Sequence, residues 1–187
     1  MFKIILLTFI VGSHGVSAQA DSRGIDLDIE IGFNGYFQLH AWTPLNVTLQ
    51  NRGQETKGNL EVIVTSGSEY RGDVYRTIYA AEVHLPQGSR KRYAFTVLIR
   101  SFTHDLILRL RQDNHIIFNR SISLRSQFTE KAFAVVADNY AMPDILSVLP
   151  AHLFPANVRP QYLPESWYGY DSVRLLILRS DTVGQLR

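Results

Sequence analysis

The side chains in this sequence that could do chemistry fall into a few groups. Asp138-Asn139 and Ser180-Asp181-Thr182 each follow a short apolar run. If those runs are parallel strands, both groups lie just past strand carboxyl ends, where open α/β sheets bind ligands. Asp138, Asn139 and Asp181 are therefore candidate ligand-binding residues. A second group, Trp167-Tyr168-Gly169-Tyr170, sets three rings around a glycine, between Glu165 and Asp171. Such rings can stack on a sugar or pack a loop over a sheet end, so Trp167, Tyr168 and Tyr170 complete the candidate set. In a third group, Asp26, Asp28 and Glu30 recur at every second position. They lack the glycine turn and loop geometry of a dedicated calcium site and read as a solvated strand face.

Other chemistries find no support. The histidines, at 14, 40, 84, 104, 115 and 152, show neither HxH nor HxxxH spacing, so no metal site is expected. Zero cysteine excludes a disulfide framework, a thiolate zinc site, a cysteine nucleophile and a lipidated cysteine. There is no G-x-S-x-G elbow and no glycine-rich phosphate loop after either apolar run. The expectation is a non-enzymatic protein with no catalytic residue and no cofactor. Arg90-Lys91-Arg92, with Arg71 and Arg76, reads as an exposed turn or an edge guarded against pairing.

The elements that must position these groups are β-rich. The chain has 187 residues, 45% hydrophobic and 19% charged, with a formal net charge of +2. This is a folding composition with no electrostatic bias toward nucleic acid or an anionic membrane surface. Residues 1–18 read as a secretory signal. Lys3 precedes the apolar run Ile4-Ile5-Leu6-Leu7-Thr8-Phe9-Ile10-Val11, and Val16-Ser17-Ala18 forms a small-residue cleavage site, with a second at Ala18-Gln19-Ala20. The run is far short of the ~20 residues that span a bilayer. An exported chain, periplasmic or extracellular, with no integral membrane segment after leader removal is expected.

From 24 to 126 the apolar period is 2. Leu27, Ile29 and Ile31 alternate with Asp26, Asp28 and Glu30. Alternating runs follow at 46–51, 59–65, 74–85, 93–99, 106–110 and 116–124, separated by turns such as Asn51-Arg52-Gly53, Pro86-Gln87-Gly88 and Gln112-Asp113-Asn114. Seven short strands at this spacing predict a mainly β fold, an immunoglobulin or fibronectin III-like antiparallel β-sandwich. Trp42, beside Thr43-Pro44, is expected to pack at a loop–strand corner.

The pattern changes after residues 127–131, read as a linker. Ala132-Phe133-Ala134-Val135-Val136-Ala137 and Val173-Arg174-Leu175-Leu176-Ile177-Leu178 read as strands buried on both faces. A short helix is predicted at 141–149 and an extended segment at 158–163, and Ser180-Asp181-Thr182 looks like a helix N-cap. This is an incomplete α/β (parallel-sheet) segment. One short helix cannot cover such strands, so 132–187 is expected to be the first part of a larger unit. Alternatively these strands add to the sandwich or pair in a dimer; standing alone they should be labile.

Gly32-Phe33-Asn34-Gly35-Tyr36-Phe37, Trp42-Thr43-Pro44-Leu45-Asn46-Val47, Leu85-Pro86-Gln87-Gly88-Ser89-Arg90-Lys91-Arg92 and Leu163-Pro164-Glu165-Ser166-Trp167-Tyr168-Gly169-Tyr170-Asp171 carry a resemblance. They resemble exported bacterial proteins in which an N-terminal immunoglobulin-like sandwich precedes a domain similar to the class I glutamine amidotransferase fold, which is flavodoxin-like. The resemblance implies an α/β domain over 132–187 but carries no nucleophile, and fold does not convey activity. The function expected is an exported cell-envelope protein whose sandwich is a non-catalytic interaction module or spacer, its partner another envelope protein. The alternatives are a truncated ligand-binding or amidotransferase-like enzyme and a carbohydrate-binding module.

Overall fold

The computed structural model describes residues 24–138 and 148–178. The expected leader, most of the expected 141–149 helix, Asn139 and the Ser180-Asp181-Thr182 cap lie outside them.

The first unit has eight strands: β1 (Ile25–Ile31), β2 (Phe37–Gln38), β3 (Trp42–Asn51), β4 (Thr56–Ser66), β5 (Tyr75–Leu85), β6 (Arg90–Leu98), β7 (Leu106–Gln112) and β8 (His115–Ile122). All seven alternating runs form strands, and several extend further than the apolar pattern marks. Two antiparallel sheets result, one ordered β1-β3-β6 and the other β5-β4-β7-β8. Period-2 alternation turns one side of each inward. Leu45, Val47 and Leu49 of β3 meet Leu60, Val62 and Val64 of β4 and Leu106, Leu108 and Leu110 of β7 in one buried cluster. At ~25 cal/mol per Å² of apolar surface, this shared core is the main term holding the two sheets together.

The second unit is a parallel sheet ordered β11-β10-β12, from β10 (Phe133–Ala137), β11 (Phe154–Val158) and β12 (Val173–Leu178). No α-helix occurs among the described residues; short 3-10 turns at Pro160–Tyr162 and Trp167–Tyr170 join β11 to β12. Two expectations are corrected. The extended segment forms earlier than predicted: β11 is Phe154–Val158, with Pro155 tolerated because an outer strand needs hydrogen bonds on one side only. And only β10 is buried at every position, whereas Leu175, Leu176 and Leu178 of β12 stay 37–38% exposed. β10 is the central strand and β12 an outer one, a distinction invisible in two similar apolar runs.

The two units are joined by more than chain continuity. Phe128–Thr129 forms β9, which pairs in parallel with β2. Phe128 stacks on Phe102 at 4.5 Å and 3° and packs against the first core. The turn after β1 does more. Gly32, Asn34 and Gly35 all have positive φ, and a bridge pairs Phe33 with Tyr36. This tight reversal sends Phe33 into the second core, 1% exposed and 5.2 Å from Phe133, and sets Tyr36 on Phe154 at 4.6 Å. Phe37, four residues after Phe33, belongs to the first core. A Cβ at Gly32 would collide with the Tyr36 carbonyl, so glycine is required there by both space and dihedral. The second unit is thus docked on the first, one of the arrangements the apolar pattern left open.

Candidate functional site

The outward face of the β1-β3-β6 sheet faces the connection from β11 to β12. Inward Leu45, Val47 and Leu49 put Trp42, Pro44, Asn46 and Thr48 outward on β3. Register aligns Thr48 with Asp28 and Arg92, and Gln50 with Asp26 and Arg90. The face was expected to be solvated along Asp26, Asp28 and Glu30. Asp28 is exposed, but Asp26 is half-buried in an ion pair of 2.6 Å with Arg52, and Glu30 is half-buried beside the β11–β12 connection. Burial raises the Glu30 pKa above the ordinary carboxylate value, opposed by the positive charge of Arg159, reinforced by Asp28 and opposed again by Arg92.

Polar contacts fasten the connection to this face. Asn46, buried, donates from Nδ2 to the Tyr162 carbonyl at 3.5 Å, and Arg92 donates to the Gln161 carbonyl. The Trp42 N–H donates to Asp171 Oδ2 at 3.4 Å, and the Tyr170 hydroxyl donates to the Pro164 carbonyl at 3.0 Å. Burial raises the Tyr170 pKa, keeping that hydroxyl a donor. Gly169 lies so close to Pro164 that an added Cβ would fall 2.5 Å from the Pro164 Cβ, so this crossing too requires glycine. Four peptides that stood out in the sequence build the fold's joints. Three of them, from Gly32, Trp42 and Leu163, make the seam. The fourth is the β5–β6 turn, where buried Asn51 holds the Leu85 carbonyl at 2.9 Å.

Two clefts open along the seam. A small one of about 120 Å³ is lined by Asn46, Thr96, Tyr162, Glu165, Ser166 and Tyr168. A wider groove of about 460 Å³ is lined by Thr48, Arg90, Arg92, Arg159, Gln161 and Tyr162. Tyr162 belongs to both. Its ring lies under the Arg159 guanidinium at 4.4 Å and near that of Arg92 at 5.2 Å, and its hydroxyl accepts from Arg159 at 2.9 Å.

The predicted aromatic residues separate by role. Tyr170 is structural. Tyr168 meets Trp42 edge-on at 5.4 Å and 64°, so Trp42 packs at the corner as expected, with Tyr168 as its partner. Trp167 meets Tyr168 at 5.8 Å and 86°, yet it is 86% exposed. Asp138 is buried at the carboxyl end of β10, its N–H bonded to the Val158 carbonyl at 3.1 Å. Because β10 and β12 run parallel, Asp138 and the aromatic loop entering β12 sit at opposite ends of that sheet. The six candidates therefore do not form one site, and Asn139 and Asp181 lie outside the described residues. Missing from the sequence reading were the groove and the anchor Phe33. Arg90 and Arg92 share a face by period 2, but Arg159 and Tyr162 reach them only through the fold.

Residues 24–125 match the family model described as Domain of unknown function (DUF8726), and since this is more than half of the 187 residues the chain belongs to that family. No curated protein and no solved structure matches the chain. Among the described residues, no helix is long and apolar enough to cross a membrane.

Proposed function

We propose that this member of the DUF8726 family is an exported, non-catalytic interaction module that captures another envelope protein at the seam between its two units. The observation that carries the reading is Trp167, 86% exposed yet held edge-on by Tyr168, which rests in turn on Trp42. A large ring left in water on a braced support costs little further entropy when a partner covers it, and exposed tryptophans of this kind dominate protein interfaces. The strand order supports a fibronectin III-like sandwich as the carrier. Counting the seven long strands alone, the sheets run first-second-fifth and fourth-third-sixth-seventh, as in that architecture. The leader-like residues 1–18 and the resemblance to exported bacterial proteins support the compartment.

A photo-crosslinking residue at position 167, in the chain expressed in its own cells, tests this directly. The expected result is one dominant adduct with an envelope protein. Position 70, where Tyr70 is fully exposed, serves as the control and should give none. Equal labelling from both positions, or adducts with cytoplasmic proteins alone, would overturn the proposal. Stacking on a carbohydrate is less well supported, because Trp167 and Tyr168 stand at 86° and offer no shared flat platform. Glycan-array binding lost in Trp167→Ala would reverse that preference.

A further inference from the structure

We infer that the arginine groove between β6 and the β11–β12 connection is a binding site for a phosphoryl group. The groove lining of Thr48, Arg90, Arg92, Arg159, Gln161 and Tyr162 holds three guanidiniums and no carboxylate. Among the described residues none of the three arginines makes an ion pair. On the neighbouring strand β1, Asp28 aligns with Thr48, and neither Asp28 nor Glu30 is among the residues that line the groove. Glu30 feels both Arg159 and Arg92, so it moderates the positive field but does not cancel three charges.

The arrangement is built rather than incidental. Arg92 is tied to the Gln161 carbonyl, and Arg159 to the Tyr162 hydroxyl while lying over the same ring. One N–H group of each of these two guanidiniums is used in this way, which orients the planes and leaves the other donors of the five that each carries for a ligand. Arg90, two residues before Arg92 on the same strand face, adds a third fork, and Thr48 adds a hydroxyl across the register pair with Arg92. A carboxylate is satisfied by one bidentate fork. A tetrahedral dianion offers three oxygens in different directions and is the better match for three forks and a hydroxyl converging from two elements. The groove volume of about 460 Å³ leaves room for the group that carries the phosphate. This site is distinct from the Trp167 surface, and its failure would leave the partner reading intact.

The test is calorimetric titration of the full chain with inorganic pyrophosphate, at ionic strength held constant with sodium chloride. Saturable binding is expected, weakened about tenfold by Arg92→Gln and by Arg159→Gln singly, and lost when both are changed. Lys91→Gln, on the same strand but the opposite face, should leave it unaltered. Thermal unfolding of each variant separates a lost site from a lost fold, and Arg159→Lys, which keeps charge without the fork, should also weaken binding. No saturable heat with pyrophosphate, or equal weakening by Lys91→Gln, would overturn the assignment, the latter because it would show diffuse charge attraction. Flotation with phosphatidylglycerol vesicles then identifies the source: binding that needs Arg92 and Arg159 points to a lipid headgroup, and retained pyrophosphate binding without flotation to a soluble phosphate.

Discussion

The two units bury their strands by opposite strategies. In the antiparallel unit the strands alternate, so Leu45, Val47 and Leu49 of β3 point to the core while Trp42, Asn46 and Thr48 point away from it, Asn46 being covered by the β11–β12 connection. In the parallel unit β10 hides both sides, while β12, of nearly the same composition, hides neither completely. A strand with one wet face announces its orientation in its own residues. A strand buried on both faces states only that something must cover it. One side of β10 is covered by a cluster that includes Leu163 and Phe33, the latter lying one hundred positions before its contact Phe133 and placed by a turn of three positive-φ residues.

The largest expected effect comes from removing that anchor. Phe33→Ala should cost about 3–5 kcal/mol, the range for a buried phenylalanine, and do so asymmetrically. Chemical denaturation followed at two probes, one in each unit, should separate into two transitions, the second unit melting first. A single shifted transition would mean the units are not coupled through this ring.

Gly32→Ala attacks the same joint from the backbone. A left-handed dihedral costs roughly 1–2 kcal/mol for a residue with a Cβ, and here the Cβ also meets the Tyr36 carbonyl. A lower denaturation midpoint is expected, with Asn34→Gly near neutral because that position also has positive φ (56°).

Removing the brace should be milder. Tyr168→Ala deletes a ring pair worth about 0.5–1.5 kcal/mol beyond its buried area. Tryptophan emission should shift to longer wavelength as Trp42 becomes wetter, while Trp167, already exposed, contributes little change.

The smallest effect is electrostatic. Glu30 has its pKa raised in the folded chain, so its contribution to stability is fully present below the unfolded value of about 4.5 and is lost as pH rises through the folded pKa. Glu30→Gln should therefore raise the melting temperature slightly at pH 7, and the gain should vanish in acid. A loss at pH 7 would mean that its attraction to Arg159 and Arg92 outweighs its burial.

This contrast also explains what was legible from residues alone. Alternation and turn chemistry mark every long strand of the first unit, because each is an independent local statement. Trp42 could be placed at a corner, but its partner Tyr168 lies 126 positions away, and no periodicity links them. The aromatic loop was recognisable as unusual composition, yet only the fold separates structural Tyr170 from exposed Trp167. The arginine groove was invisible for the same reason. Arg90-Lys91-Arg92 reads as a guarded edge until Arg159 and Tyr162 arrive from another element.

The GFNGYF turn, Gly32 to Phe37, locks the parallel unit onto the antiparallel one and makes the seam a fixed surface. Native-state hydrogen exchange of the full chain, resolved by residue, tests it most directly. The amides of Val135 and Val136 in β10 should be protected to nearly the level of Val47 in β3, and Phe33→Ala should strip protection from β10 while leaving β3 largely intact. Rapid exchange throughout β10 in the unaltered chain, with β3 fully protected, would contradict it.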